Sequence, residues 1–179
     1  MKAERATMAD IPQIHKLISV YADRGDLLPR TIHELYETAR DFFVVRDEGQ
    51  LVGCAALHIN WADLAELRSV AVAEAQQGRG ISRLLADAAL AEARELGIRT
   101  VYVLTYRPEV FERFGFRTVD VVQLPRKVWS ECHACPKFQC CDEIAMICDV
   151  LGETSARGVA PSFARSALPV RPGLPVRPA

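Results

Sequence analysis

The chain has 179 residues, half of them hydrophobic, and its 22 basic and 23 acidic side chains leave a formal net charge of −1. That length suits one domain with a proper core, and dispersed Arg and Lys with no net positive field argue against a nucleic-acid protein. No apolar run approaches the ~20 residues of a membrane helix, and the opening MKAERATMAD lacks the apolar segment of a signal peptide. The chain therefore reads as cytoplasmic, with neither a membrane nor a nucleic acid as partner.

In chain order, KAERAT is a short strand. Asp10 is placed to cap a helix that tolerates Pro12 in its first turn, and Ile14, Leu17, Ile18 and Tyr21 give that helix one buried face. Thr31 and Glu34 have the T-x-x-E spacing of a capping box and open a second helix. DFFVVR and LVGCAALHI read as strands joined by the turn DEGQ. ELRSVAV follows as a strand, with Glu66 and Arg68 on one face and Leu67 and Ser69 on the other. ISRLLADAALAEARELG is the clearest helix, with an apolar stripe of Ile81, Leu84, Leu85, Ala88 and Ala89 and a stop at Gly97. TVYVLT is a buried strand, EVFERFG a short helix ended by Gly115, and FRTVDVV and EIAMICDV are the last strands.

From Gly152 onward the composition changes. LPVRPGLPVRPA repeats Leu168 to Gly173 as Leu174 to Ala179, and its prolines remove backbone donors and favour extended polyproline conformation. The division expected is one globular domain over 1–151 and a disordered Pro-rich tail over 152–179. A proline-rich ligand for a partner domain is the alternative reading of that tail.

The segment VAVAEAQQGRGIS, Val70 to Ser82, carries the chemistry. A strand runs into a loop containing Gly78 and Gly80, and the loop opens the best helix. The first N–H groups of a helix have no partner within it, and its dipole favours an anion there. The loop is not a Walker motif, because no G-K-[ST] follows, and its spacing is not that of a Rossmann G-x-G-x-x-G. Taken alone it also fits a tight strand-to-helix turn.

Gln77 to Ser82, Q-x-x-G-x-S, resembles the (Q/R)-x-x-G-x-(G/A) acetyl-CoA signature of the GNAT N-acetyltransferases, with Ser82 in place of the final Gly or Ala. VFERFGF, Val110 to Phe116, resembles the family's F-Y-x-x-x-G-F segment. Together with ELRSVAV, LTYRPEVFERFGF and LPRKVWSECHACPKFQCCDEIAM, these segments make the chain similar to short single-domain bacterial N-acetylglutamate synthases. The resemblance implies an α/β GNAT fold: a mixed, mostly antiparallel central sheet, splayed between its fourth and fifth strands and flanked by helices. It implies acetyl-CoA as co-substrate, L-glutamate as acceptor, and direct acyl transfer as the first step of arginine synthesis. Glutamine, another amino acid, a protein N-terminus, or a silent metal- or redox-responsive scaffold are the competing readings.

That resemblance sets the expected site. Backbone N–H groups near Val70 and Val72 polarise the thioester carbonyl. The N–H groups of Gln77, Gly78, Arg79, Gly80, Ile81 and Ser82 hold the pyrophosphate, with the Arg79 side chain either adding charge or standing in solvent. Glu66 is the general base that the acceptor ammonium requires. The family's usual tyrosine acid falls on Phe111, which has no proton to give but still borders the cofactor, so Tyr106 is the acid named here, with Ser69 behind it. Two acceptor carboxylates call for two cations, expected as Arg68 and Lys127, with Ser69 beside them and Arg30, Arg107 and Arg126 in reserve. Tyr102 and Trp129 read as core.

Cys132, Cys135, Cys140 and Cys141 fall within ten residues of one another. Cys132 and Cys135 have C-x-x-C spacing, but a second knuckle is missing and a fourth ligand is not evident. The cysteines are therefore expected as packed thiols behind a substrate-side lid rather than as a zinc site, and no metal is expected. A reversible disulfide is the further alternative. Cys54 and Cys148 read as core. A homodimer is compatible with this sequence.

Overall fold

The computed structural model describes residues 1–124 and 141–152. Lys127, Trp129, Arg126, Cys132, Cys135, Cys140 and the Pro-rich tail expected beyond 152 lie outside the described residues.

Among the described residues seven strands form one sheet: β1 (Ala3–Arg5), β2 (Phe42–Asp47), β3 (Gln50–Trp61), β4 (Leu64–Val72), β5 (Thr100–Thr105), β6 (Arg117–Thr118) and β7 (Ile144–Asp149). Their order across the sheet is β1-β2-β3-β4-β5-β7-β6. Every pairing is antiparallel except β4 with β5. Helices α1 (Ile11–Ala22) and α2 (Ile32–Glu37) pack on one face. The long helix α3 (Ile81–Glu95) and the short α4 (Pro108–Glu112) pack on the other. Alternation in β2 serves both layers: Phe43 and Val45 face α3, while Phe42 and Val44 face α1 and α2.

Local signals explain most element ends. Glu48 and Gly49 both take positive φ, 48° and 82°, in the tight turn between β2 and β3. The Thr31–Glu34 capping box forms as expected, with the Glu34 N–H donating to Thr31 Oγ1 at 3.2 Å and the Thr31 N–H donating to Glu34 Oε2 at 2.7 Å. Helix α3 buries Ile81, Leu85, Ala86, Ala89, Leu90 and Ala93. Leu84 and Ala88, expected in its stripe, are only partly buried. The buried face therefore lies slightly around the helix from the expected one. Each fully buried Leu or Ile contributes ~1.5–3 kcal/mol, so this face anchors α3 to the sheet.

Three expectations are corrected. Asp10 takes the N-cap position of α1, but its side chain makes no capping bond to that helix: its carboxylate accepts from the Thr7 N–H at 2.7 Å and from the Thr7 hydroxyl at 2.8 Å. That box opens a single 3-10 turn (Met8–Asp10) continuous with α1. Most of FRTVDVV is not a strand, because β6 is two residues long and Asp120 then caps a 3-10 turn by accepting from the Val122 N–H at 3.0 Å. The alternation expected along β4 also breaks. Ser69 and Val70 together oppose the single residue Ala55, as the pairings Arg68↔Ala56 and Ala71↔Cys54 require. Ser69, at φ 53°, occupies the left-handed position of this bulge. Beyond it Val70 and Val72 pack toward α3, whereas Ala71 packs toward α1.

Candidate active site

Strands β4 and β5 pair over only three residues, Leu64–Glu66 against Thr100–Tyr102. Past Glu66 they diverge, as expected for the splay. The gap is a cavity of about 630 Å³, within the ordinary range for small-molecule sites. One wall is β4 from Glu66 to Val72; the other is β5 and the turn after it, through Tyr106 and Arg107.

At one end lies the cradle. Gly78 and Gly80 take φ 75° and 78°, and a side chain at either would be strained. Gly80 caps α3, and its carbonyl accepts the helix's first bond from the Leu84 N–H at 3.1 Å. The N–H groups of Ile81, Ser82 and Arg83 therefore have no partner within the helix. Gln77, Gly78, Gly80, Ile81 and Ser82 all line the cavity, as do Val70 and Val72. Arg79 does not line it: its guanidinium pairs with Asp47 at 2.9 Å and bonds the Gln76 side-chain oxygen. Phe111 borders the cavity and is buried, edge-to-face with Phe114 and Phe116 at 5.8 Å each. Its part is at once packing and wall.

At the other end stand the ionisable groups. The side chains of Arg68 and Glu66 are only 10% and 13% exposed, and they pair at 3.6 Å. Ser69 and Arg68 line both this cavity and a smaller one of about 180 Å³ under α2. There the His58 imidazole meets Asp41, Nδ1 to Oδ2, at 2.7 Å. Tyr106 and Arg107 close the β5 side. Arg30 lines both cavities, so this reserve cation does reach the site. Tyr102 is 1% exposed and belongs to the core, as expected.

Four residues at the site were not singled out from the sequence. Tyr21, read as part of the apolar stripe of α1, lines the cavity and donates its hydroxyl to the Val72 carbonyl. Arg83 and Arg113 also line it, and Arg83 donates to the Arg113 carbonyl at 2.7 Å. Arg83 directly follows the signature's last small residue, which is the signal that could have found it. Glu143, just before β7, adds a carboxylate to the wall, with the Cys141 thiol 3.9 Å from its Oε2. Cys54 is buried behind the bulge, and burial pushes its thiol up to about 12. It therefore keeps its proton and donates to the Ser69 carbonyl at 3.7 Å.

No His, Cys, Asp or Glu cluster among the described residues is arranged to hold a metal. No described helix is long and apolar enough to cross a membrane.

A sheet splayed between a parallel strand pair, with a glycine loop and a helix N-terminus at its mouth, is the arrangement that the acetyl-CoA signature implies. Residues 10–116 match the model of the acetyltransferase (GNAT) family, and the chain belongs to that family, with acetyl-CoA as co-substrate. Over 142 residues it is 40% identical to an uncharacterized N-acetyltransferase of Chlorobaculum tepidum, covering 79% of this chain and 92% of that one. Over 130 residues it is 38% identical to an amino-acid acetyltransferase of Mycobacterium tuberculosis, covering 71% and 74%. Among solved structures, a Mycobacterium tuberculosis protein in complex with CoA superposes with a TM-score of 0.74 at 32% identity, covering 83% of this chain and 99% of that one. An N-acetylglutamate synthase of Neisseria gonorrhoeae, complexed with coenzyme A and N-acetylglutamate, gives 0.76 at 26% identity, covering 83% and 35%.

Proposed function

We propose that this chain transfers the acetyl group of acetyl-CoA to the amine of L-glutamate, making N-acetyl-L-glutamate for arginine synthesis. The observation that carries the reading is the Glu66–Arg68 pair, a base and a cation side by side in the wall of the cleft. The similarity to an amino-acid acetyltransferase supports the same class of acceptor.

In this mechanism pantetheine lies along the unpaired edge of β4. The N–H groups around Val70 and Val72 face the thioester oxygen, where negative charge develops as the amine attacks. The pyrophosphate sits on the N–H groups from Gln77 to Ser82. Glu66 takes the ammonium proton, directly or through a water, because only the neutral amine is a nucleophile. The C–S bond then breaks, and Tyr106 supplies the proton to the departing thiolate. Arg68 holds one acceptor carboxylate. Lys127 is assigned the other from its place in the sequence, and Arg30, which lines the same cavity, supports that end.

The test is steady-state CoA release with acetyl-CoA and a panel of amino acids. L-glutamate should turn over fastest. Faster turnover with glutamine, or none with either, would overturn the acceptor assignment and leave family membership intact.

A further inference from the structure

We infer that Tyr21 is a positioning residue for the acetyl-CoA cradle, and that Gln77 acts in the cradle as a brace bonded to Tyr21. The Tyr21 hydroxyl sits in the last turn of α1 and brackets the first part of the loop between β4 and α3. It donates to the carbonyl of Val72, the last residue of β4, and accepts from Gln77 Nε2 at 2.8 Å. One oxygen thus fixes both ends of the short turn Glu74–Gln76. Gln77 itself is extended, at φ −64° and ψ 159°, and delivers the chain into Gly78 at φ 75°. A brace on its side chain therefore sets the direction in which the following N–H groups point.

Two further contacts tie the same residue into the site. The Arg24 guanidinium lies over the Tyr21 ring at 6.0 Å and pairs with Glu74 inside the loop. That pair is exposed, and exposed pairs contribute little on their own, so the hydroxyl is the member to test. The Tyr21 carbonyl also accepts from the Asp26 N–H at 3.0 Å, at the start of the segment that brings Asp26 and Arg30 to the cavity. The benefit of such a brace is preorganisation: N–H groups already aimed at an anion need not be ordered when it binds.

The inference rests on the cleft taking CoA and not on which amine is acetylated. Calorimetric titration with CoA therefore tests it separately from the acceptor assay. Gln77→Leu, which loses one hydrogen bond, is expected to weaken CoA binding by up to about tenfold, and Tyr21→Phe, which loses both bonds of the hydroxyl, by at least as much. The double variant should bind no more weakly than the worse single, because both changes break one bonded unit. In turnover assays with glutamate, Tyr21→Phe should raise KM for acetyl-CoA while KM for glutamate stays within about twofold. Additive losses in the double variant would overturn the inference. So would a Tyr21→Phe protein that melts earlier yet binds CoA as the wild type does.

Discussion

Gly53, near the start of β3, sets how closely α3 approaches the sheet. A Cβ there would stand 2.7 Å from Ile81 Cγ2, 3.2 Å from Leu85 Cδ1 and 3.4 Å from the Ala71 carbonyl oxygen. Ile81 is the first residue of α3, is 1% exposed, and is β-branched, so its Cγ2 has no alternative rotamer to retreat into. Restoring a normal carbon–carbon separation of ~3.7 Å requires the helix start to lift by about 1 Å. Overpacking of this kind costs ~1–3 kcal/mol, and at ~2–4 °C per kcal/mol Gly53→Ala should melt about 2–12 °C early. The lifted end is also the cradle. Misplacement by ~1 Å can cost as much as two orders of magnitude, and we expect KM for acetyl-CoA to rise about tenfold, a moderate share of that range. Thermal melts and initial-rate kinetics check both numbers. A melting temperature within ~1 °C of wild type and an unchanged KM would refute the packing argument. Early melting with unchanged KM would keep the packing and remove its link to the cradle.

Glu66→Gln keeps the shape of the wall and removes the base; turnover should fall ~100-fold or more with acetyl-CoA affinity little changed, and near-normal turnover across pH would take Glu66 out of the mechanism. Lys127→Ala should raise KM for glutamate by one to two orders of magnitude, the equivalent of ~1.5–3 kcal/mol for a charge-assisted bond, and leave KM for acetyl-CoA alone; two unmoved constants would return Lys127 to solvent. Asp10→Asn addresses stability. Burial raises the Asp10 pKa, but the bonds from Thr7 and Arg46 together outweigh it and hold the carboxyl below its ordinary value. A depressed folded pKa stabilises fully above the unfolded value of ~3.9 and loses that stabilisation as pH falls through the folded one. The variant should therefore be about 2 kcal/mol less stable at neutral pH, with the gap in denaturant midpoint narrowing as pH falls below ~3.9 and through the folded pKa; a gap independent of pH would contradict the assignment.

The cradle was readable because its signals are local. Gly78 and Gly80 stand where φ must be positive, and the apolar period of α3 begins at once after them. The splay was carried by resemblance, and the short β4–β5 pairing bears it out. Other features had no local signature. Tyr21 falls on the helical period of Ile14 and Ile18, and only the position of β4 shows that its hydroxyl emerges beside Val72. Arg79 stands inside the signature, yet Asp47 across the neighbouring turn takes its side chain. Asp10 has the residue type of a helix cap, but Thr7, three residues earlier, uses its carboxylate first.

The bulge at Ser69 joins fold to chemistry. A left-handed residue other than glycine costs roughly 1–2 kcal/mol, and Ser69 is held there by two features: the extra residue opposite Ala55 and the Cys54 thiol bonded to its carbonyl. Without the bulge, strict alternation would put Ala71 on the α3 face with Leu67 and turn Val70 and Val72 toward α1. With it, Glu66 and Arg68 keep the α2 side while Val70 and Val72 pack against the α3 side, next to the helix that carries the cradle. A single inserted residue thus changes which layer β4 serves midway along its length. It does so just beyond the point where β4 stops pairing with β5, so Glu66 and the strand edge proposed for the thioester both open on one cleft.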